Sequence, residues 1–259
     1  MISGHQGESE TEYRKMERWV RGDVIQVTPS WSAYNGLDTE TGEFIIVKEI
    51  AIASDATDQE KARYRELTEQ LSVLERKNLN HPNLLTIRGY VVKEDLIRIT
   101  STAWIHGTIK IVLEKHGSIA EETARFFTRQ ILNGLVDLYE NEERHGNLST
   151  DNTFLEVEGI IKVSDFGLPE SAIAYSNFVS AQAPETAKQT NQSDFAKIDT
   201  WSVGYIVLEM LTGKAPWDQN ALQAVKGTGA DSDWDQLLSK PLSQIGTDAS
   251  DFIKACLLM

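Results

Sequence analysis

The sequence lacks the features that would place it in a disulfide-rich, membrane-spanning or nucleic-acid-binding class. Cys256 is the single cysteine among 259 residues, which excludes an internal disulfide and a cysteine-based metal cluster. Basic residues are scarce: 25 lysines and arginines stand against 39 aspartates and glutamates, and the formal net charge of −14 argues against a nucleic-acid or anionic membrane partner. Because no apolar run reaches membrane-spanning length and no signal segment follows Met1, we expect a cytoplasmic protein.

The length and the apolar content are those of a globular protein. A chain of 259 residues with 41% hydrophobic residues can bury a sizeable core, as one large domain or as two lobes. Residues 1–17 are polar and are expected to form a solvated leader.

Hydrophobic periodicity predicts strands early in the chain and helices later. Residues 19–50 have the pattern of β-hairpins, and residues 84–90 and 96–102 favour two more strands. A long helix over residues 58–79 is indicated by leucines at helical spacing, and residues 121–140 form a second amphipathic helix. Further helices are predicted over residues 199–213, which are apolar almost all round, and over residues 251–258.

The motif that organises the sequence runs from His145 to Gly167. It contains His145-Gly146-Asn147-Leu148-Ser149, then Asn152, and then Asp165-Phe166-Gly167. This stretch resembles the catalytic loop and the magnesium loop of a protein kinase, which the family writes H-R-D-L-K-x-x-N and D-F-G. Ala183-Pro184-Glu185 matches the family's A-P-E motif. The segments Gly36-Leu37-Asp38, Thr41-Gly42-Glu43 and Val47-Lys48 are similar to MAP kinase kinase kinases of the fungal type.

The resemblance implies an α+β, bilobal protein-kinase-like fold. The N-lobe would be β-rich with one long helix and would span residues 18–103, and the mainly helical C-lobe would span residues 104–259 and lack the family's last helix. Residues 1–17 would precede the N-lobe.

Carried over position by position, the family's catalytic groups are only partly present. Lys48 matches the lysine that pairs with phosphates, and Asn152 and Asp165 match the ligands of magnesium, if a magnesium nucleotide binds. Asn147 replaces the catalytic aspartate and is predicted to be inactive, because an amide cannot accept a proton at neutral pH. Ser149 replaces the loop lysine, which removes a cation from the site of transfer.

The residues implied for the nucleotide slot argue against tight binding. Three positions where the family has phosphate-loop glycines are occupied by Gln26, Thr28 and Trp31. Trp31 is expected to pack on its strand neighbours, and occlusion of the cleft is the second interpretation. The slot would be lined by Ile46, Thr102, Ala103, Trp104 and Phe154, with Thr102 as gatekeeper, Ala103 and Trp104 beginning the hinge, and Ile46 and Phe154 larger than the usual roof and floor. We therefore expect no required cofactor, with ATP and magnesium bound weakly or not at all.

The partner of Lys48 on the long helix is left open by the sequence. The hydrophobic register favours Gln70, and Glu66 and Glu69 are the alternatives. If Gln70 faces Lys48, a neutral hydrogen bond replaces the family's ion pair.

Three functional hypotheses follow from this resemblance. The first is a pseudokinase that acts as a scaffold or allosteric regulator in MAP kinase-type signalling, with a signalling protein, such as an active kinase, as its partner. The second is a slow Ser/Thr kinase or another ATP-dependent transferase that uses Lys48, Asn152 and Asp165. The third is a nucleotide-gated switch without turnover.

Overall fold

Two lobes, one rich in strands and one mainly helical, make up the described part of the chain. The structure is a computed structural model that describes residues 18–28, 31–93, 95–101, 103, 105–168, 195–217, 221 and 231–258. The polar leader, Thr102, Trp104 and the Ala183-Pro184-Glu185 motif lie outside these residues.

The first lobe is a five-stranded antiparallel sheet with one long helix. Its elements are β1 (Trp19–Val27), β2 (Trp31–Asp38), β3 (Phe44–Ala51), α1 (Asp58–Lys77), β4 (Ile87–Val92) and β5 (Leu96–Ser101). The strand order is β1-β2-β3-β5-β4. Alternate residues Trp31, Ala33 and Asn35 of β2 are buried, as the two-residue period of a half-buried strand requires. They face the same side of the sheet as Lys48, a residue of β3 that pairs with Ala33 of β2.

Helix α1 begins and ends where local chemistry dictates. Thr57 and Glu60 form a capping box at its start. At its end Asn78 adopts a left-handed conformation with φ of 45°. Its buried side chains are Leu67, Leu71 and Leu74, so the predicted helix and its buried face are confirmed, with an end two residues before the expected one.

The second lobe combines short strands with the remaining helices. Its elements are β6 (Ile105–Thr108), α2 (Ile109–His116), α3 (Glu121–Glu140), β7 (Thr153–Glu156), β8 (Ile161–Val163), α4 (Phe195–Thr212), α5 (Asp231–Leu242) and α6 (Thr247–Leu257). Strands β6, β7 and β8 form a small antiparallel sheet in that order. Helix α3 has the predicted bounds and buries the predicted face, which contains Phe127, Ile131, Leu135 and Leu138.

Helix α4 is the centre of the second lobe. All residues from Trp201 to Met210 are buried, which confirms the prediction of a helix that is apolar almost all round. Helix α6 crosses it closely at Gly204, where an added Cβ would lie 2.7 Å from the Cβ of Cys256. No helix in the described part of the chain combines the length and apolar character needed to cross a membrane.

Two sets of hydrogen bonds join the lobes beside the cleft. The Asn35 side chain donates to the Ile105 carbonyl at 2.8 Å and accepts from the Ile105 N–H at 3.1 Å. In the second set, the Leu85 N–H donates to the Val163 carbonyl at 2.8 Å and the Val163 N–H donates to the Asn83 carbonyl at 2.9 Å. The two lobes are therefore hydrogen-bonded to each other at more than one place.

Candidate functional site

The start of the loop from His145 to Asn152 is hydrogen-bonded to the side chain of Asp199. One oxygen of this fully buried carboxylate accepts the His145 N–H at 3.0 Å, and the other accepts the Gly146 N–H at 2.8 Å. Asp199 therefore anchors the backbone at the start of this loop. The Tyr139 hydroxyl, which the sequence did not single out, also donates to Asp199 at 3.0 Å. Burial, followed by the neighbouring carboxylate, raises the pKa of Tyr139, so the phenol keeps the proton that it donates.

Asn152 acts as an internal staple of this loop. Its side-chain nitrogen donates to the Asn147 carbonyl at 2.5 Å, and its side-chain oxygen accepts the Ser149 N–H at 2.8 Å. The hydroxyl of Thr153 donates to the Ser149 carbonyl at 2.8 Å. These bonds give the loop its shape without a metal ion.

Asn147 and Ser149 stand out because their side chains are buried and have no hydrogen-bond partner within the part of the chain that the structure describes. Asn147 is 2% exposed and Ser149 is 4% exposed. Among the described residues, neither the amide atoms of Asn147 nor the Ser149 hydroxyl has a partner. A buried polar group without a partner lowers the stability of a fold by about 1–3 kcal/mol. Asn147 and Ser149 are therefore polar residues that do not stabilise the loop through their side chains. Both side chains are uncharged, whereas the family has an aspartate at the position of Asn147 and a lysine at the position of Ser149.

Asp151 is a buried carboxylate that sequence reasoning missed. It is 6% exposed and accepts a hydrogen bond from the Gln26 side chain of β1 at 3.2 Å. Burial raises the pKa of Asp151, while Gln26 and Lys110 oppose that rise. No family motif marks this position. The signal available in the sequence was an extra carboxylate directly before Asn152.

Lys48 and Asp165 meet across the cleft as a buried ion pair. The ammonium nitrogen of Lys48 lies 2.6 Å from a carboxylate oxygen of Asp165, and the two side chains are 11% and 7% exposed. Burial lowers the pKa of Lys48, while Asp165 and Asp151 oppose that change. The structure therefore brings together Lys48 and Asp165, two of the three residues predicted to bind the nucleotide, and they contact each other directly.

Gln70 lies against the magnesium loop. Its amide nitrogen is 3.5 Å from the position that a Cβ at Gly167 would take. Glu66 and Glu69 are exposed, whereas Gln70 is half-buried, as the predicted register requires. Helix α1 is also tied to the second lobe at its end, because Lys77 pairs with Glu143 at 2.6 Å.

The first residue of β2, Trp31, lies against the cleft. It is 3% exposed, and the Lys48 ammonium nitrogen lies 4.2 Å from the centroid of its ring. Lys48 is on the adjacent strand, so Trp31 packs on a strand neighbour as expected, and the same contact places its ring against the lysine of the cleft. This position agrees with the second interpretation, occlusion.

The slot expected to hold adenine is nearly filled by side chains. Ile46 is 3% exposed, Phe154 is 4% exposed and Ala103 is 6% exposed. A cavity of about 30 Å³ remains, lined by Ala33, Ile46, Lys48, Leu85, Ile87, Ile99, Ser101, Phe154, Ser164 and Asp165. Pockets that bind small molecules have volumes of about 300–1,000 Å³. Among the described residues of the slot, the remaining space is therefore smaller than that of a typical small-molecule pocket.

The two residues expected to hold magnesium, Asn152 and Asp165, each contact another group of the protein. No group of three or more His, Cys, Asp or Glu side chains suited to a metal occurs in the described residues. Asp165 is paired with Lys48, and the Asn152 oxygen accepts a backbone N–H. The two predicted magnesium ligands are thus both engaged within the protein.

Comparisons with known proteins agree with this architecture. A family model described as the protein kinase domain matches residues 30–259. The chain is 32% identical over 253 residues to mitogen-activated protein kinase kinase kinase 2 of Arabidopsis thaliana, covering 93% of this chain and 38% of that protein. It is 29% identical over 251 residues to MAP kinase kinase kinase mkh1 of Schizosaccharomyces pombe, covering 92% of this chain and 22% of that protein. The similarity thus extends to plant as well as fungal sequences, and this chain spans well under half the length of these relatives.

A solved structure supports the fold independently. The crystal structure of Rad53 1-466 in complex with AMP-PNP aligns with a TM-score of 0.71 and 22% identity, covering 98% of this chain and 65% of that chain. At this identity the likeness shows the fold alone, with a β-sheet N-lobe and a helical C-lobe. Fold, motif order and family match converge on one assignment: the chain belongs to the protein kinase domain family and resembles the MAP kinase kinase kinases.

Proposed function

We propose that this chain is a pseudokinase, a kinase-like domain that is catalytically inactive or strongly impaired and regulates signalling through its surface. The observation that carries the proposal is the filled nucleotide slot. Ile46 and Phe154 are both buried, and about 30 Å³ remains between the walls. Apolar burial of this kind stabilises closed lobes without a ligand.

The rewritten catalytic loop supports the same proposal. Asn147 stands where the family has its general base, and loss of such a base costs roughly 10²–10⁴-fold in rate. Ser149 supplies no positive charge to the transferred group. Both changes lower phosphoryl transfer, even if their effects are not additive.

The partner we propose is another signalling protein, such as an active kinase, in a MAP kinase-type pathway. The chain resembles proteins named as MAP kinase kinase kinases, which supports this class of pathway. The net charge of −14 favours a basic partner surface over nucleic acid or an anionic membrane. We propose a cytoplasmic location, and a division into an N-lobe over residues 18–103 and a C-lobe over residues 104–259.

A thermal melt with ATP, in the presence and absence of magnesium, tests the proposal. A ligand at 100 times its Kd adds about 2.7 kcal/mol of stability and raises Tm by roughly 5–11 °C for a domain of this size. We expect no shift, no heat of binding in calorimetry and no transfer of radiolabelled phosphate to a generic protein substrate.

The matched variant is Asp165→Ala, which removes the carboxylate expected to hold magnesium. A magnesium-dependent shift together with phosphate transfer that disappears in Asp165→Ala would refute the pseudokinase proposal. It would establish the second candidate, a slow kinase or transferase built on Lys48, Asn152 and Asp165. That candidate is favoured only by the 2.6 Å approach of Lys48 to Asp165, which keeps both groups in the cleft. Binding without transfer would instead indicate a nucleotide-gated switch.

A further inference from the structure

The end of β1 and the start of β2 are joined by hydrogen bonds beside the cleft. The Thr28 N–H donates to the Trp31 carbonyl at 2.8 Å, and the Thr28 hydroxyl contacts the carbonyl and the N–H of Trp31, both at 3.0 Å. These bonds hold the backbone from which the Trp31 side chain extends. Trp31 lies directly across from Ile50 on β3, two pairs from the Ala33–Lys48 pair.

Trp31 covers the buried charges of the cleft. Its ring lies 4.2 Å from the Lys48 ammonium nitrogen, on a lysine that already pairs with Asp165 at 2.6 Å. A tryptophan face attracts a cation, and the attraction is stronger when water is excluded. Trp31 is 3% exposed, so it both contacts this ion pair and keeps water from it.

Gln26 ties the same hairpin to the other lobe. Its side-chain nitrogen donates to the Asp151 carboxylate at 3.2 Å, across 125 positions of the chain. A glycine at this position could not make this bond, because it has no side chain. Asp151 is itself fixed in a buried loop that is anchored by neighbouring contacts, for example the 2.9 Å bond from Thr150 to Glu209. The hairpin thus touches the lysine of its own lobe and the catalytic loop of the other.

We infer that the β1–β2 hairpin is an intramolecular clamp that takes the place of a nucleotide at the phosphate end of the cleft. Trp31 covers the Lys48–Asp165 pair, and Gln26 binds Asp151. The closed arrangement of the two lobes is then held by the chain itself. This inference rests on the proposed function, because a clamp of this kind is useful only where the cleft need not admit ATP.

Chemical accessibility of Lys48 is the direct readout of the clamp. An amine-acylating reagent followed by peptide mass spectrometry measures the rate at which Lys48 is modified in the intact chain. We expect slow modification in the wild type and an increase of about tenfold in Trp31→Ala, the factor that loss of a desolvated cation–π contact gives. Trp31→Phe keeps a ring over the lysine and should remain slow.

A second arm tests the contact between the lobes. Gln26→Glu places a carboxylate against Asp151 with almost no change in size, so it should repel the catalytic loop. We expect faster deuterium exchange of the amides over residues 147–152 in Gln26→Glu than in the wild type. Val27→Ala, on the same strand at a position 64% exposed, is the control and should behave like the wild type in both assays.

The outcomes separate the clamp from the pseudokinase proposal, since neither assay uses nucleotide. Equal Lys48 modification in the wild type and Trp31→Ala, or equal exchange in the wild type and Gln26→Glu, overturns the clamp and leaves the pseudokinase proposal standing. Phosphate transfer by the wild type that disappears in Asp165→Ala would refute the pseudokinase proposal whatever these variants show. If Trp31→Ala does not fold, the Gln26→Glu arm decides alone.

Discussion

At the scale of single residues, His145 makes the fold sensitive to acid. It is 1% exposed, and its Nδ1 accepts the Asn147 N–H at 3.2 Å. Nδ1 must therefore be unprotonated, and burial lowers the pKa of His145 below its ordinary value although Asp199 and Asp165 oppose the change. The unfolded chain binds the proton more tightly, so the stabilising effect is complete above about pH 6.5 and is lost as the pH falls below that value.

Urea denaturation at pH 7.5 and 5.5 measures this effect. We expect the free energy of unfolding to fall with pH in that window, with a contribution from His145 of at most about 1.4 kcal/mol per pH unit. His145→Leu should be less stable at both pH values but show a shallower slope. His106→Leu, at an exposed histidine, should keep the wild-type slope. An unchanged slope in His145→Leu would show that the imidazole is not the titrating group.

Residue identities predicted the chemistry of the site better than its contacts. The neutral replacements Asn147 and Ser149 and the large apolar pair Ile46 and Phe154 are visible in the sequence. The Trp31–Lys48 contact is not, because it depends on how a side chain on β2 is oriented relative to one on β3. The Gln26–Asp151 bond joins residues 125 positions apart, and no local pattern encodes such a pairing.

At the scale of elements, the crossing of α4 and α6 depends on a glycine. An added Cβ at Gly204 would lie 2.7 Å from the Cβ of Cys256 and 3.1 Å from the Leu257 side chain. Alanine gains about 1 kcal/mol in helix propensity, but overpacking a core costs about 1–3 kcal/mol. The steric cost at this crossing should therefore outweigh the gain in helix propensity.

We expect Gly204→Ala to lower the free energy of unfolding by up to about 2 kcal/mol in chemical denaturation, the difference between these two effects. Lys254→Ala, at an exposed position of α6, should change it by less than about 0.5 kcal/mol. If Gly204→Ala proves more stable than the wild type, the two helices are separated more widely than this geometry requires.

Long elements were predictable, and short ones were not. Helices α1 and α3 each span 20 residues, so their hydrophobic period is sampled over several turns. Strands β7 and β8 have only four and three residues, too few for a period to appear. Helix α5 contains Pro241, a residue that normally argues against a helix because it has no N–H to donate, and the helix ends one residue later, at Leu242.

At the scale of the whole molecule, Asn35 couples the lobes. This side chain is 4% exposed and satisfies both the N–H and the carbonyl of Ile105. Asn35→Ala would leave these backbone groups without their partner and should lower the free energy of unfolding by about 1–3 kcal/mol. Calorimetric melts should show this loss as a lower Tm.

The matched control is Ser32→Ala on the same strand, which should melt within error of the wild type. Asn35→Asp keeps an acceptor for the Ile105 N–H but places a buried carboxylate oxygen against the Ile105 carbonyl, so it should melt no higher than Asn35→Ala. A Tm for Asn35→Ala equal to that of Ser32→Ala would show that the lobes are held together elsewhere.

The filled slot between Ile46 and Phe154 has a consequence for pharmacology. Inhibitors that imitate adenine need a pocket of drug-like size, whereas about 30 Å³ is open here. In a screening panel such compounds should not bind this chain, although they should bind relatives whose cleft is open. A small molecule meant to perturb it must therefore be selected against its outer surface, by a binding assay rather than by competition with ATP.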